Sequence, residues 1–296
     1  MKKITNSEEA IELLKLIILV RGDSKIFGLS DYVSEFISPE LLGNKEFILE
    51  AIKLYNSILY YTPPHINSDK DIVLSAVKIN GKVLKIANQD LQNNKEIVLA
   101  AVSNNGSCLE FASPNLQNDL EVAEVAIMNN SKALKFVSPL LKENKSFIRI
   151  ALKANGWLLE IFPDFVNDKE LVLEAVNNEG YALQYASPFL QNDRDVVFAA
   201  VMNKGRSLSF ASPSLKNDRE IVLAAVRNDG YALMDATHFN SDLFIVLTAL
   251  SSKGCALQYA DFEFKDNDFV VQLAIEQNTE AYEYASKRFK ETYCTP

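Results

Sequence analysis

The stretch Asn217–Ala236, NDREIVLAAVRNDGYALMDA, decides the fold, because the same order of residue types returns along almost the whole chain. An acidic pair leads into an aliphatic run with alanine at its centre, a glycine closes the run, and a short apolar segment follows. Anchoring each copy on the first aliphatic or aromatic residue after the acidic pair gives Phe47, Ile72, Ile97, Val122, Phe147, Leu171, Val196, Ile221, Ile245 and Val270, spaced 24 or 25 residues apart. Repeats of this period mark stacked supersecondary units that cannot bury their apolar faces alone.

Each column has a physical task. Three residues before the anchor, all ten units carry Asp or Asn, from Asn44 to Asn267, as an N-cap requires. Acidic residues such as Asp71, Glu96, Glu170 and Glu220 then sit in the first turn, where the helix dipole favours negative charge. Four residues after the anchor every unit has alanine, Ala51 through Ala274, which favours helix and permits close helix approach. The run IVLAAV is apolar nearly all round, which predicts a helix buried on most sides. Seven of the ten glycines stand nine residues after the anchor, where a left-handed residue closing the helix is expected. A shorter helix such as YALQYA follows, and then a Ser-Pro turn, as at Ser113-Pro114, Ser138-Pro139, Ser187-Pro188 and Ser212-Pro213.

The fold expected is all-α, an α-solenoid of about ten tandem helix-pair repeats with divergent terminal caps. Residues 1–43 are read as a capping helix from Ser7 plus a degenerate half-repeat, and 44–296 as the repeat array with its C-terminal cap. The N-terminus resembles a signal peptide superficially, but Glu8, Glu9, Glu12 and Lys15 interrupt its apolar run and no small-residue cleavage site follows. No stretch of 18 apolar residues predicts a membrane span.

Composition narrows the function. The net charge of −9 and the lack of a basic block argue against a phosphate-tracking nucleic-acid binder. The 26 asparagines, beside 23 lysines and only seven arginines, read as a trace of an AT-rich genome. Cys108, Cys255 and Cys294 form no CxxC pair, and His65 and His238 are the only histidines, so a zinc site, a disulfide framework and histidine catalysis are not expected. Cys108 stands in a small-residue core column, whereas Cys255 and Cys294 are candidates for exposed thiols. The repeated Asp forms an acidic ladder along one edge, with weak divalent-ion binding as its only metal chemistry. Phosphate-loop, HExxH and GxSxG motifs are absent, so no catalytic residue, metal site or cofactor is assigned.

The units NDREIVLAAVRNDGYAL (217–233) and GYALQYASPFLQNDRDVVFAAV (180–201) resemble an uncharacterised family of tandem helical repeats, a domain of unknown function in which two units make one domain. The resemblance covers residues ~44–290 and carries no catalytic residues. Such repeats are associated with bacteria living inside protists, with large DNA viruses and with protists, which implies a protein that meets a eukaryotic cell. Phe162-Pro163 and Thr237-His238-Phe239 depart from the Ser-Pro pattern, and a local bend is expected at each.

The positions that change from unit to unit mark the surface most suited to a partner. One and four residues after the glycine column, on one face of the short helices, the middle units carry Trp157, Tyr181, Arg206, Tyr231 and Met234. These residue types are enriched in binding hot spots, although aromatics in such places also cover gaps between units. Asp235 stands where other units have Phe111, Tyr185, Phe210 or Tyr259. The function expected is a non-enzymatic, monomeric scaffold or adaptor that binds another protein, in the cytoplasm or translocated into a host cell, with no nucleic-acid or membrane partner. An enzyme with an unrecognised site and a nucleic-acid-binding helical repeat are the alternatives.

Overall fold

The computed structural model describes residues 3–21, 33 and 35–293. Two compact units divide the chain, Met1–Phe147 and Ile148–Pro296, with the boundary inside the helix Lys145–Ala154. Among the described residues every regular element is helical, and the only strand-like feature is an isolated bridge between Ile4 and Ile37. The chain is an all-α solenoid of tandem repeats.

One repeat of the second unit shows how its residues make its elements. Asp218 accepts hydrogen bonds from the backbone N–H groups of Glu220 and Ile221 and so caps the ten-residue α-helix Arg219–Asn228. Ile221, Val222, Ala225 and Val226 bury one side of that helix. Asp229 then leaves the helix in an extended conformation and caps a 3₁₀ helix, Gly230–Asp235, whose Ala232 and Leu233 are buried. All ten expected N-cap residues accept from the backbone N–H of their own anchor residue. The second helix of each pair is thus 3₁₀ rather than α. Each of these six-residue segments is entered from a residue outside the α-helical conformation, such as Asp229, and keeps the tighter 3₁₀ winding used for short pieces.

In the first unit the helix Ser7–Arg21 is capped by Asn6, which accepts from the N–H groups of Glu8 and Glu9, and it packs Ala10, Ile11 and Leu14 inward beside the helix Lys45–Leu54. The degenerate half-repeat keeps its register: Ser38 caps Pro39–Leu42, with Ile37 and Leu41 buried. Ser113 and Ser138 cap their Pro-led turns, and each hydroxyl also donates to an asparagine of the preceding repeat, Asn93 and Asn118. In the second unit the irregular segments Pro163–Phe165 and Thr237–Phe239 are single 3₁₀ turns without a side-chain cap. Its last helix, Lys287–Thr292, buries Phe289 and turns Arg288 onto Asp266 and Asp268.

The glycine column has a different cause from the one expected. None of these glycines has a positive φ. A Cβ on Gly106 would lie 2.1 Å from the carbonyl oxygen of Ala126, and one on Gly205 would lie 2.3 Å from that of Ala225. Glycine is required because the next repeat's backbone, at its invariant alanine, closes onto this position. Alanine and glycine are the two halves of one inter-repeat contact.

Candidate binding surface

Polar side chains stitch neighbouring repeats together, and this determines which groups remain free. The glycine N–H donates to an asparagine of the following repeat, and the same asparagine donates back to a carbonyl of the preceding one. Asn104 and Asn129 do this in the first unit, and Asn178, Asn203 and Asn228 in the second. Ser252 and Gln277 take the same place at distances of 3.2 and 2.5 Å. A second set of asparagines, Asn80, Asn105, Asn130, Asn155 and Asn278, caps the 3₁₀ helices. The richness in asparagine therefore has a structural reason, not only a compositional one.

The expected acidic ladder is a ladder of ion pairs. Lys95 reaches both Asp119 and Glu121 at 2.8 Å, and Lys169 reaches Asp193 and Asp195 at 2.9 and 2.8 Å. Arg194 pairs with Asp218 and Glu220, and Arg219 with Asp242. Burial alone would raise the Asp119, Asp193 and Asp218 carboxyls. The helix N–H groups and the base of the preceding repeat outweigh it and hold them below the ordinary value. Leu120 and Leu243 replace the base where the next cap is Asn144 or Asn267, whereas Lys70, whose next cap is Asn94, pairs with Glu96 at 2.7 Å. Among the described residues no group of three or more His, Cys, Asp or Glu side chains is placed to hold a metal ion.

The thiols divide differently from expectation. Cys108 is buried, which pushes its thiol up to about 11 and leaves it un-ionised at neutral pH. Cys255 is buried too, at 3% exposure, with its thiol in hydrogen-bonding contact with Tyr231 rather than at the surface. Cys294 lies outside the described residues. His65 is a turn residue with Nε2 3.2 Å from the Gly43 carbonyl oxygen, and His238 is exposed in the turn Thr237–Phe239.

The six expected surface residues all lie in the second unit, and the structure sorts them. Trp157, at 40% exposure, sits 6.4 Å from the Tyr181 ring and edge-on to Tyr185 at 6.2 Å. Tyr181 is only half-exposed and packs edge-on against Phe210 of the next repeat, as Tyr231 does against Tyr259. One rule covers these contacts: the residue after the glycine meets the aromatic column of the following repeat. Arg206 occupies the first of these places and Asp235 the second, so an ionic attraction replaces an aromatic pair there. Burial raises the Asp235 carboxyl, opposed by Lys216, 3.9 Å away, and by Arg206. Asp235 is thus partly buried, with Lys216 beside it. Arg206 and Met234 are exposed. Tyr181 and Tyr231 serve first as inter-repeat packing, so truncating Tyr181 removes frame as well as surface.

Between the helices Arg194–Asn203 and Arg219–Asn228 runs an open groove of about 610 Å³, floored by Phe198, Met202, Leu223 and Ala224. Its exposed apolar residues are Phe198, at 39%, and Met202, at 56%.

The amino-acid sequence matches the profile of the family described as Domain of unknown function (DUF4116) over residues 25–67, 69–117, 119–165, 168–216, 198–239 and 242–290. Comparison with curated proteins finds no match. Most of the chain falls within these segments, each spanning up to two of the repeats defined above, and the chain belongs to this family of tandem repeats.

Proposed function

We propose that this chain is a non-enzymatic scaffold that binds another protein through the second unit, and that it acts as a monomer. The observation that carries the reading is Trp157. It is a large aromatic, two-fifths exposed, whose ring packs against Tyr181 and edge-on against Tyr185. A rigid, preorganised aromatic is the kind of anchor on which binding energy concentrates, since little side-chain entropy is lost on contact. Exposed Arg206 and Met234 lie in later repeats at the equivalent columns and extend the same surface. The variable positions fall on this surface while the stitching residues repeat, which suits a frame whose specificity sits in its outward side chains.

A target from a eukaryotic host, reached by translocation of this protein, is the narrower form of the proposal. It carries forward what the resemblance to repeats of intracellular bacteria, large viruses and protists implies.

The test is quantitative affinity capture with the purified protein from a eukaryotic and a bacterial lysate. One protein enriched near stoichiometry from the eukaryotic lysate, and lost with Trp157→Ala plus Met234→Ala, is the expected result. Enrichment from the bacterial lysate only would remove the host reading. Absence of any enriched protein, or turnover of a small substrate by the pure chain, would overturn the scaffold reading.

A further inference from the structure

We propose that the groove between the helices Arg194–Asn203 and Arg219–Asn228 is a docking site for a protein segment presenting an apolar ridge and one carboxylate. The inference rests on the scaffold reading and adds the chemistry of what is bound. The groove's floor is apolar, formed by Phe198, Met202, Leu223 and Ala224. Its volume, about 610 Å³, is in the range that holds several side chains. Both helices have ten residues and are about 15 Å long, which matches an amphipathic helix of two to three turns laid between them.

Charge decides the rest. The polar groups at the groove are committed except one. Glu220 is taken by Arg194. Asn228 accepts from the Gly205 N–H and donates to the Met202 carbonyl. Arg227, in the last turn of its helix, has no ion pair among the described residues. Of the other arginines in this unit, Arg149, Arg194, Arg219 and Arg288 are ion-paired, and Arg206 is attracted to Asp235. A cation with no internal partner, at the edge of an exposed apolar floor, is complementary to a segment whose apolar ridge ends in Asp or Glu. Desolvating the pair on docking strengthens it relative to an open-surface ion pair.

The probe is a displayed library of random twelve-residue peptides, selected on the full chain, with the winning peptides then synthesised and titrated. Winners should carry Asp or Glu one helical turn from paired large apolar residues. Their affinity should fall at least tenfold with Arg227→Glu, and likewise with Phe198→Ser plus Met202→Ser. These substitutions change exposed side chains and leave the buried face of each helix intact. A peptide in which the acid is exchanged for Lys should regain binding to Arg227→Glu. Winners without an acid, or indifferent to all groove substitutions, would overturn the inference. Winners lost with Trp157→Ala yet unaffected by groove changes would overturn it and leave the scaffold reading standing. A selection that enriches no peptide would count against both.

Discussion

Asn203 is the sharpest test of how this frame holds together. Its Oδ1 accepts from the Gly180 N–H at 2.8 Å and its Nδ2 donates to the Asn177 carbonyl at 2.9 Å, so one side chain clamps the end of the preceding helix and the start of the 3₁₀ turn after it. Gly180 is buried against the Ala200 backbone, so water cannot replace the lost acceptor in Asn203→Leu. An unsatisfied buried N–H costs about 1–3 kcal/mol, whereas the Asn177 carbonyl, on an exposed residue, can be rehydrated at small cost. The variant should lose about 2 kcal/mol, and exchange at the Gly180 amide should accelerate about thirtyfold if local opening follows that loss. Asn203→Ser should lose under about 1 kcal/mol, since a hydroxyl is an acceptor too and Ser252 fills this role for Gly230. Urea denaturation gives the stability and amide hydrogen exchange gives the site. A loss below about 0.5 kcal/mol for Asn203→Leu, with Gly180 still protected, would refute the clamp.

Gly205→Ala should destabilise by more than about 3 kcal/mol or prevent folding, because its Cβ would press on the Ala225 carbonyl at 2.3 Å and on the Asp229 N–H group, both backbone; a change under about 1 kcal/mol in denaturation would contradict the close-approach account. The N-cap carboxyls Asp69, Asp119, Asp193, Asp218 and Asp242 are all held below the ordinary value of 3.8. Their contribution should be complete above about pH 5 and should be lost as the pH falls through the native values, with a thermal midpoint that drops steeply below pH 3.8 and is less sensitive in Asp218→Asn. Asp235 has the opposite sign, since burial raises its carboxyl, so the native state binds its proton more tightly than the unfolded chain. Asp235→Asn should therefore gain stability relative to the parent as the pH rises from 3.8 through the raised native value, and a pH-independent difference would exclude that assignment.

The columns that could be read from sequence are those whose physics is local. An Asp or Asn three residues before an aliphatic run caps a helix whatever lies next to it, and Ser-Pro opens a turn for the same reason. The glycine column was visible, but its cause was not, because the carbonyl it accommodates belongs to an alanine about twenty residues on. Asn104, Asn129 and Asn203 were counted as composition because their partners sit one repeat earlier. Leu223 and Phe198 illustrate the remaining gap. Their run looks apolar on every side, and only the placement of neighbouring helices shows which side stays open. For the candidate surface, residue type singled out Trp157 and Met234, whereas the packing of Tyr181 on Phe210 and the approach of Lys216 to Asp235 needed the folded register.

If the second unit's outward side chains bind a protein while the repeated residues only hold the frame, the two sets of residues separate in one experiment. Titration calorimetry of the captured partner against the parent chain and against Trp157→Ala plus Met234→Ala tests it most directly. The expected result is at least a hundredfold loss of affinity, about 2.7 kcal/mol, with an unchanged unfolding midpoint. Equal affinity in the variant, with the fold intact, would contradict it.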